Sequence, residues 1–267
     1  MSVAARRVGN LGGYRNPSRF KALAMKSPSR WPATLWIIRH GESAGNIASR
    51  ESVAGDHRFR LDVRDADVPL SALGEAQADA LGRWFAGQGA KPDVILASPY
   101  LRARETALRV ATAGVPVLID ERLREKECGI LDGLTPDGVA ALHPEQAAQR
   151  ALIGKFYHRP PGGENWCDVI QRLRGVMDRI TLHHAGENVV IIAHEVVVFC
   201  LRYILDNLDE AGILAIDAQG DIANCAVTEY RLEPSAMRLI RWGETAAVEA
   251  QGAAITHARD KIVAARG

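Results

Sequence analysis

Short apolar runs alternate with stretches of helical periodicity along most of the chain, beginning after Pro32. The apolar runs are rich in Val, Ile and Leu and barely alternate with polar residues, as expected of strands that are covered on both faces. A succession of such strands and helices is typical of an α/β domain with a parallel sheet. We therefore expect a three-layer α/β fold, with a mainly parallel sheet and helices on both of its faces.

The pattern places each element along the chain. Strands are predicted at 34–38, 93–97, 115–119, 188–193 and 225–231, with an edge strand at 236–242. Helices are predicted at 71–87, 99–113, 165–184, 195–208 and 245–264. Ser71 and the pair Ser98-Pro99 are typical of the starts of the first two helices. Segments 51–67 and 128–163 are expected to be excursions from the sheet.

The charge distribution sets residues 1–33 apart from the rest of the chain. Residues 1–33 contain seven basic residues and no acidic one, which leaves 26 basic against 32 acidic residues in the rest. The Gly, Pro and Ser content of 1–33 predicts a flexible basic extension, with an organellar address or a phosphate-attracting arm as alternatives. We expect one domain over 34–242, followed by a C-terminal helix within 243–267.

Composition excludes several classes of protein. The 267 residues are 47% hydrophobic and carry a formal net charge of +1, so nucleic acid and anionic membranes are not expected partners. No apolar run approaches the roughly 18 residues of a membrane span. The four cysteines have neither C-x-x-C nor metal-ligand spacing, which favours reduced thiols in a cytoplasmic protein. We expect no metal and no cofactor.

Ionisable clusters follow three of the predicted strands. They are Arg39-His40-Gly41-Glu42-Ser43, Ser98-Pro99-Tyr100-Leu101-Arg102 and His194-Glu195. Ligands of open α/β sheets collect beyond the carboxyl ends of the strands, where helix N-termini attract anions. Two histidines and two arginines at that edge indicate a phosphate site.

The order of these clusters resembles the histidine phosphatase superfamily, which has the phosphoglycerate mutase-like fold. The resemblance covers about residues 34–232 and rests on five segments. Beside Arg39-His40-Gly41-Glu42-Ser43, Ser98–Ala103 and Ala193-His194, these are Leu123-Arg124-Glu125 with Asp132-Gly133, and Pro161-Gly162-Gly163-Glu164-Asn165.

The resemblance implies a role for each basic residue. His40 would be the nucleophile and form a phosphohistidine, which requires a neutral imidazole with one free lone pair. Arg39, Arg102 and a protonated His194 would supply the positive field that a metal ion supplies in other phosphoryl-transfer enzymes.

The resemblance also identifies the acid and a further phosphate ligand. Glu125 would protonate the leaving group and then activate water, and Asn46 would donate a hydrogen bond to the phosphate. Glu125 stands in the charged run 120–127, which by itself is typical of a solvated face. Only its register in the family motif distinguishes it from Glu121 and Glu127.

One residue departs from the family pattern. Many members have glycine after the second histidine and fructose-2,6-bisphosphatase domains have glutamine, whereas this chain has Glu195. A carboxylate that pointed at the phosphate would oppose anion binding. We expect it to turn toward the start of its helix, where it would help to keep His194 cationic.

Two features suggest a branch of the superfamily and a kind of substrate. The stretch from Glu125 to Glu164 is shorter than in cofactor-dependent phosphoglycerate mutases, and the fructose-2,6-bisphosphatase domains and alpha-ribazole phosphatases are the nearest comparisons. Arg150, Lys155 and Arg159 would receive a second phosphate or a carboxylate, or else belong to a solvated loop. Trp166 would stack on a sugar or base, or else anchor the following helix.

Together these features predict a metal-independent phosphomonoesterase that acts on a small phosphorylated metabolite. A phosphoglycerate mutase-type transferase is the alternative within enzymes, and a non-catalytic phosphate-ester-binding module is the alternative outside them. The sequence leaves assembly into a homo-oligomer open.

Overall fold

The computed structural model describes residues 29–87 and 91–257. Most of the predicted basic extension, and the end of the predicted C-terminal helix, lie outside the described residues.

A six-stranded sheet forms the centre of the described chain, with the order β3-β2-β4-β1-β5-β6. Its strands are β1 (Thr34–Arg39), β2 (Val94–Ala97), β3 (Val117–Ile119), β4 (Asn188–Ala193), β5 (Val227–Glu233) and β6 (Ala236–Glu244). Strands β1 to β4 are parallel, whereas β5 and β6 are antiparallel to their neighbours. The predicted α/β class and the mainly parallel sheet are therefore confirmed, and each strand begins within two residues of its predicted position.

Nine α-helices surround this sheet in the described residues. They are α1 (Ala44–Glu51), α2 (Ala72–Ala86), α3 (Leu101–Val110), α4 (Pro136–Leu142), α5 (Pro144–Tyr157), α6 (Trp166–His183), α7 (Glu195–Leu205), α8 (Glu210–Asp217) and α9 (Ala246–Glu249). Helices α4 and α5 lie in the excursion 128–163, and a 3-10 turn at Asp65–Asp67 lies in the excursion 51–67.

Alternate residues of β1 belong to two different hydrophobic clusters. Leu35 and Ile37 pack in one cluster with residues of α6 and α7, and Trp36 and Ile38 pack in the other with residues of α2 and α3. Successive side chains of a strand point to opposite faces, so each pair of helices contacts its own set of strand residues. Each fully buried Leu or Ile side chain contributes about 1.5–3 kcal/mol to this packing.

Helix α3 begins two residues later than predicted. Ser98 is not its N-cap, because the Ser98 hydroxyl accepts the Tyr100 amide proton at 3.2 Å and also pairs with His194 at 2.8 Å. The serine is used at the carboxyl edge of the sheet instead of at the start of the helix.

The predicted helix over 245–264 is wrong for most of its described part. Helix α9 ends at Glu249, and Gly252 has a φ of 78°, a left-handed conformation that favours glycine and breaks a helix. After Gly252 the chain does not continue as a helix, and its carbonyl groups accept hydrogen bonds from the domain instead. Gln77 donates to the Ala254 carbonyl at 2.9 Å, and the Asn224 amide donates to the Thr256 carbonyl at 3.0 Å.

The loop after β1 lies directly against the first turn of α2. A Cβ atom added at Gly74 would lie 1.9 Å from the Glu42 carbonyl oxygen, and one added at Gly41 would lie 2.5 Å from the Gly74 carbonyl oxygen. Both distances are far below van der Waals contact, so the two backbones approach this closely only because both positions are glycine.

Gly74→Ala should therefore destabilise the protein by about 1–3 kcal/mol, even though alanine is the better helix former, because the loop and helix must separate. Gly87→Ala, at the other end of α2, is the matched control. A Cβ there meets nothing closer than 3.6 Å, and we expect a change of about 0.5 kcal/mol or less. Urea unfolding of both variants measures the difference, and equal stabilities would contradict the packing described.

Candidate active site

Three neighbouring strands end at the same edge of the sheet. His40 follows β1, His194 follows β4 and Ser98 follows β2, and these strands are adjacent in the order β2-β4-β1. All three side chains are fully buried within the described chain. The parallel arrangement thus brings together residues that are far apart in sequence.

The hydrogen bonds of the His40 ring fix its tautomer. Nδ1 lies 2.7 Å from the Gly41 carbonyl oxygen, which can only accept, so Nδ1 carries the proton. Nε2 accepts a hydrogen bond from Arg102 Nε at 3.2 Å. His40 is therefore held as a neutral imidazole whose Nε2 lone pair faces a guanidinium group, which is the arrangement that a nitrogen nucleophile requires.

Both the side chain and the backbone carbonyl of Arg102 are bound by neighbouring residues. Its Nη1 donates to the Asp65 backbone carbonyl at 2.6 Å and lies 3.3 Å from the Asp65 carboxylate. Thr106, one turn later in α3, donates to the Arg102 carbonyl at 2.7 Å and accepts from the Gly41 amide at 3.0 Å. Helix α3 and the loop that follows His40 are thereby joined.

Arg39 and Glu195 both bind the backbone of Ile222. The fully buried Arg39 donates from Nη1 to the Ile222 carbonyl, and the Ile222 amide donates to Glu195 Oε1 at 3.1 Å. One oxygen of the Glu195 carboxylate is thus turned toward the loop before β5. Glu195 ties the first turn of α7 to the loop that binds Arg39.

His194 completes a cluster of rings beside His40. The centroids of the two imidazoles are 5.1 Å apart, and the Tyr100 ring lies 5.2 Å from that of His194. The Ser98 hydroxyl lies 2.8 Å from His194 Nε2. The structure therefore brings both histidines and Arg102 to one buried site at the edge of the sheet.

Burial distinguishes Glu125 from the other two glutamates of the charged run. Glu125 is 1% exposed and its Oε1 accepts the Lys126 amide proton at 2.6 Å, whereas Glu121 is exposed. Glu127 accepts a hydrogen bond from the Tyr100 hydroxyl at 2.6 Å, which links this segment to the ring beside His194.

Arg172 and Glu164 hold the segment that carries Glu125. Arg172 donates to the Glu125 carbonyl at 3.2 Å and to Glu164 Oε1 at 2.9 Å, and Glu164 Oε2 accepts the Glu127 amide proton at 3.1 Å. Burial alone would raise the pKa of Glu164, but its hydrogen bonds and ion pair with Arg172 outweigh burial and hold the pKa below its ordinary value. The pair therefore stays ionised and fixes the backbone of the acid segment.

Asn46 is the one predicted substrate-binding residue that joins the His40 network. It is buried in the first turn of α1, where its Oδ1 accepts from the Ser43 amide at 3.0 Å and from Asn224 Nδ2 at 3.2 Å. Asn224 Nδ2 also donates to the His40 carbonyl at 3.1 Å.

Two other predicted substrate-binding residues bind carboxylates of the fold. Lys155 binds the Asp217 carboxylate and Arg159 binds the Asp168 carboxylate. Both contacts are structural ion pairs between elements of the fold, so these two cations are not reserved for a substrate.

The structure does not leave Trp166 a face for stacking on a sugar or base. Its side chain is 1% exposed and packs in the hydrophobic cluster of α6 and α7, with its ring 6.0 Å from that of Phe199. The alternative, an anchor for α6, agrees with this position.

Arg150 lies near His158. Burial lowers the pKa of His158, and the charges of Arg150 and Lys126 lower it further.

A family model described as "Histidine phosphatase superfamily (branch 1)" matches residues 35–245. The chain belongs to this superfamily. The match includes every strand from β1 to β6 apart from Thr34, and all of the side chains gathered around His40. Among the described residues no group of three or more His, Cys, Asp or Glu side chains could hold a metal ion, and no helix there is long and apolar enough to cross a membrane.

Curated relatives include multi-domain enzymes. The chain is 29% identical over 231 residues to the bifunctional protein Rv2228c of Mycobacterium tuberculosis, which covers 82% of this chain and 59% of the relative. It is 31% identical over 180 residues to the 6-phosphofructo-2-kinase/fructose-2,6-bisphosphatase of Gallus gallus, which covers 67% of this chain and 34% of the relative. The chain therefore spans between a third and three fifths of the length of these relatives.

Solved phosphatase structures have the same fold. The mycobacterial glucosyl-3-phosphoglycerate phosphatase Rv2419c, in complex with inorganic phosphate, has a TM-score of 0.63 at 26% identity and covers 80% of this chain and 99% of its own. The alpha-ribazole phosphatase of Shigella flexneri has a TM-score of 0.66 at 21% identity, over 79% of this chain and 96% of its own, which is a likeness of fold alone.

The sequence does not reveal several residues that orient the site in this superfamily member. Asp65 begins a short 3-10 turn and Asn224 lies in the turn before β5, and their contacts with Arg102 and His40 join residues 37 and 184 positions apart. Thr106 stands four residues after Arg102, and this helical spacing is the one local signal that could have indicated its contact.

Glu164 should make stability depend on acid pH. Because its folded-state pKa is depressed, its contribution is present above the unfolded-state pKa of about 4.3 and is lost as pH falls through the lower folded-state value. Glu164→Gln should cost about 3 kcal/mol at pH 7, because the largely buried Arg172 loses its carboxylate partner. Urea unfolding from pH 7 down to pH 3 should show the two proteins converging in stability.

The matched control is Glu249→Gln, which removes an exposed carboxylate at the end of α9. Its stability difference from the unchanged protein should stay small at every pH. A constant cost for Glu164→Gln across this range would contradict the depressed pKa.

Proposed function

We propose that this superfamily member is a metal-independent phosphomonoesterase, which hydrolyses a small phosphorylated metabolite through a phosphohistidine at His40. The observation that carries the proposal is the His40 ring, with a protonated Nδ1 bound to the Gly41 carbonyl and an Nε2 lone pair that faces Arg102. The family and the phosphatases of similar structure support phosphoric monoester hydrolysis as the class of reaction.

The first step transfers the phosphoryl group to His40. The Nε2 lone pair attacks phosphorus, and the bond from phosphorus to the ester oxygen breaks. The Nδ1–H bond to Gly41 stabilises the positive charge that develops on the ring. Arg39, Arg102 and a protonated His194 stabilise the charge on the phosphoryl oxygens, and Glu125 gives its proton to the departing alkoxide.

The second step returns the enzyme to its starting state. Glu125, now a carboxylate, takes a proton from water as the water oxygen attacks the phosphohistidine. The bond from phosphorus to Nε2 breaks, inorganic phosphate leaves and the lone pair returns to His40. Glu125 is again protonated, so the cycle balances without a metal or a cofactor.

The substrate proposal uses a smaller set of residues than the sequence suggested. Asn46, whose Oδ1 accepts from the Ser43 amide and Asn224 Nδ2 beside His40, donates a hydrogen bond from Nδ2 to the phosphate. Arg150 offers positive charge, with Lys126, for a second anionic group of the substrate. The ion pairs of Lys155 and Arg159 favour a structural role for them.

The proposal also includes the layer arrangement of the fold and the cellular location. A three-layer fold with helices on both faces of the sheet is supported by the two clusters that use alternate residues of β1. A cytoplasmic location is supported by the cysteines, since Cys128, Cys167, Cys200 and Cys225 are all free thiols.

His40→Ala should abolish turnover of p-nitrophenyl phosphate, with a loss of at least about 10³-fold in kcat, because the nucleophile is removed. Rapid acid-labile labelling from a 32P-labelled substrate should map to His40 and be absent in the variant. His183→Ala, an exposed histidine near the end of α6, is the control and should label normally.

Substantial turnover by His40→Ala would refute the mechanism. The products distinguish the alternative enzyme: with 3-phosphoglycerate and a bisphosphoglycerate primer, release of inorganic phosphate should exceed formation of 2-phosphoglycerate. The opposite ratio would favour the phosphoglycerate mutase-type transferase.

The acid role of Glu125 should depend on the leaving group. An alkoxide needs a proton as it departs, whereas p-nitrophenolate leaves with little help. Glu125→Gln should therefore slow an alkyl phosphate by about 10²–10⁴-fold in kcat/KM and p-nitrophenyl phosphate far less, where phosphorylation of His40 limits the rate. Glu121→Gln, from the exposed part of the same charged run, should slow neither. Equal losses on both substrates, or a leaving-group effect at Glu121, would overturn the assignment.

A further inference from the structure

The chain beyond the family match folds back onto the site. The match ends at residue 245, yet residues 253–256, here called the C-terminal strap, bind two side chains of the domain. The strap follows the left-handed turn at Gly252, where the Ala253 amide donates to the Val248 carbonyl of α9 at 3.4 Å, and Ala254 and Thr256 bind the domain. Its position is therefore set by what it contacts.

Thr256 makes the central contacts of the strap. Its hydroxyl oxygen accepts a hydrogen bond from Gln77 Nε2 at 3.0 Å, and its hydroxyl proton is donated to Asn224 Oδ1 at 3.0 Å. The Thr256 carbonyl also accepts the Asn224 backbone amide at 3.0 Å. One residue of the strap thus fixes both the backbone and the side-chain carbonyl of Asn224.

Asn224 in turn hydrogen-bonds to His40, the proposed nucleophile, and to Asn46, the proposed phosphate ligand. With its Oδ1 engaged by Thr256, its fully buried Nδ2 donates to the His40 carbonyl at 3.1 Å and to Asn46 Oδ1 at 3.2 Å. These contacts fix which end of the Asn46 amide is turned toward Asn224. A rotation of Asn224 would disturb His40 and Asn46 together.

Gln77 connects the strap to Glu42, in the loop after β1. Its Oε1 accepts the Glu42 amide proton at 2.8 Å, while its Nε2 donates to the Ala254 carbonyl at 2.9 Å and to Thr256. The strap therefore orients two side chains that bind the loop 40–42, Asn224 at His40 and Gln77 at Glu42.

We propose that Thr256 is a positioning residue for phosphoryl transfer, acting through Asn224 on His40 and Asn46. This inference rests on the proposed function. Productive transfer needs the attacking nitrogen and the phosphate ligands in a fixed geometry, and a displacement of about 1 Å can cost on the order of 10²-fold in rate. The hydroxyl is the group that matters, since it both accepts from Gln77 and donates to Asn224.

The test compares Thr256→Val, which keeps the shape and removes the hydroxyl, with Thr256→Ser, which keeps the hydroxyl, in the full-length chain. Thr256→Val should lower kcat/KM for p-nitrophenyl phosphate by about 10–100-fold and slow phosphohistidine formation. Thr256→Ser should restore both to within about threefold. Thr245→Val, at a threonine whose side chain does not cap α9, is the matched control and should leave both unchanged.

A double-mutant cycle separates positioning from a purely structural role. If Thr256 acts through Asn224, Thr256→Val should add little to the loss in kcat/KM already caused by Asn224→Ala. Independent, multiplying losses would overturn the inference, as would wild-type kcat/KM in Thr256→Val or equal losses in the valine and serine variants. Thermal unfolding monitors folding throughout, and Thr256→Ala replaces Thr256→Val in the cycle if the latter does not fold.

The two proposals fail in distinguishable ways. If the unchanged protein forms no phosphohistidine at His40, the proposed function is wrong whatever the Thr256 variants do. If it forms one, and Thr256→Val forms it equally fast, only the positioning inference is wrong.

Discussion

The hydrogen bond between His40 Nδ1 and the Gly41 carbonyl is the interaction on which the site depends. It selects the tautomer, and only that tautomer leaves a lone pair on Nε2. Gly41 is itself immobilised, because its amide donates to Thr106 and its backbone lies against the Gly74 carbonyl. The close approach of the two glycine backbones is therefore part of the geometry around His40 as well as of the packing.

A second constraint is the concentration of positive charge at a buried edge of the sheet. Removing a guanidinium from water is costly unless it gains hydrogen bonds or a counter-charge. Arg102 gains the Asp65 carbonyl and carboxylate, and Arg39 gains the carbonyl of Ile222. These contacts hold both guanidinium groups in place, so the proposed mechanism needs little reorganisation when charge develops on a phosphoryl group.

Further polar contacts hold the segments that carry Glu125 and Arg39. Arg172 and Glu164 hold the backbone on which Glu125 lies, and Glu195 accepts the amide proton of Ile222, the residue whose carbonyl binds Arg39. The site is thus assembled from short segments at the ends of strands, each of which is fixed by a buried polar contact with a segment distant in sequence. Such contacts need their partners in place at the same time, which links the geometry of the site to the stability of the whole domain.

The sequence by itself determined the positions of the strands along the chain, the mainly parallel sheet and the polar clusters that follow three of the strands, because hydrophobic periodicity and local motifs act over a few residues. Only the tertiary structure decided which charged and aromatic side chains remain available. Lys155 is paired with Asp217, 62 positions away, Trp166 is buried against Phe199, and the chain after Gly252 leaves its expected helix to bind Gln77 and Asn224. Each of these outcomes depends on a partner that no local pattern identifies, since burial and long-range pairing exist only once the chain has folded.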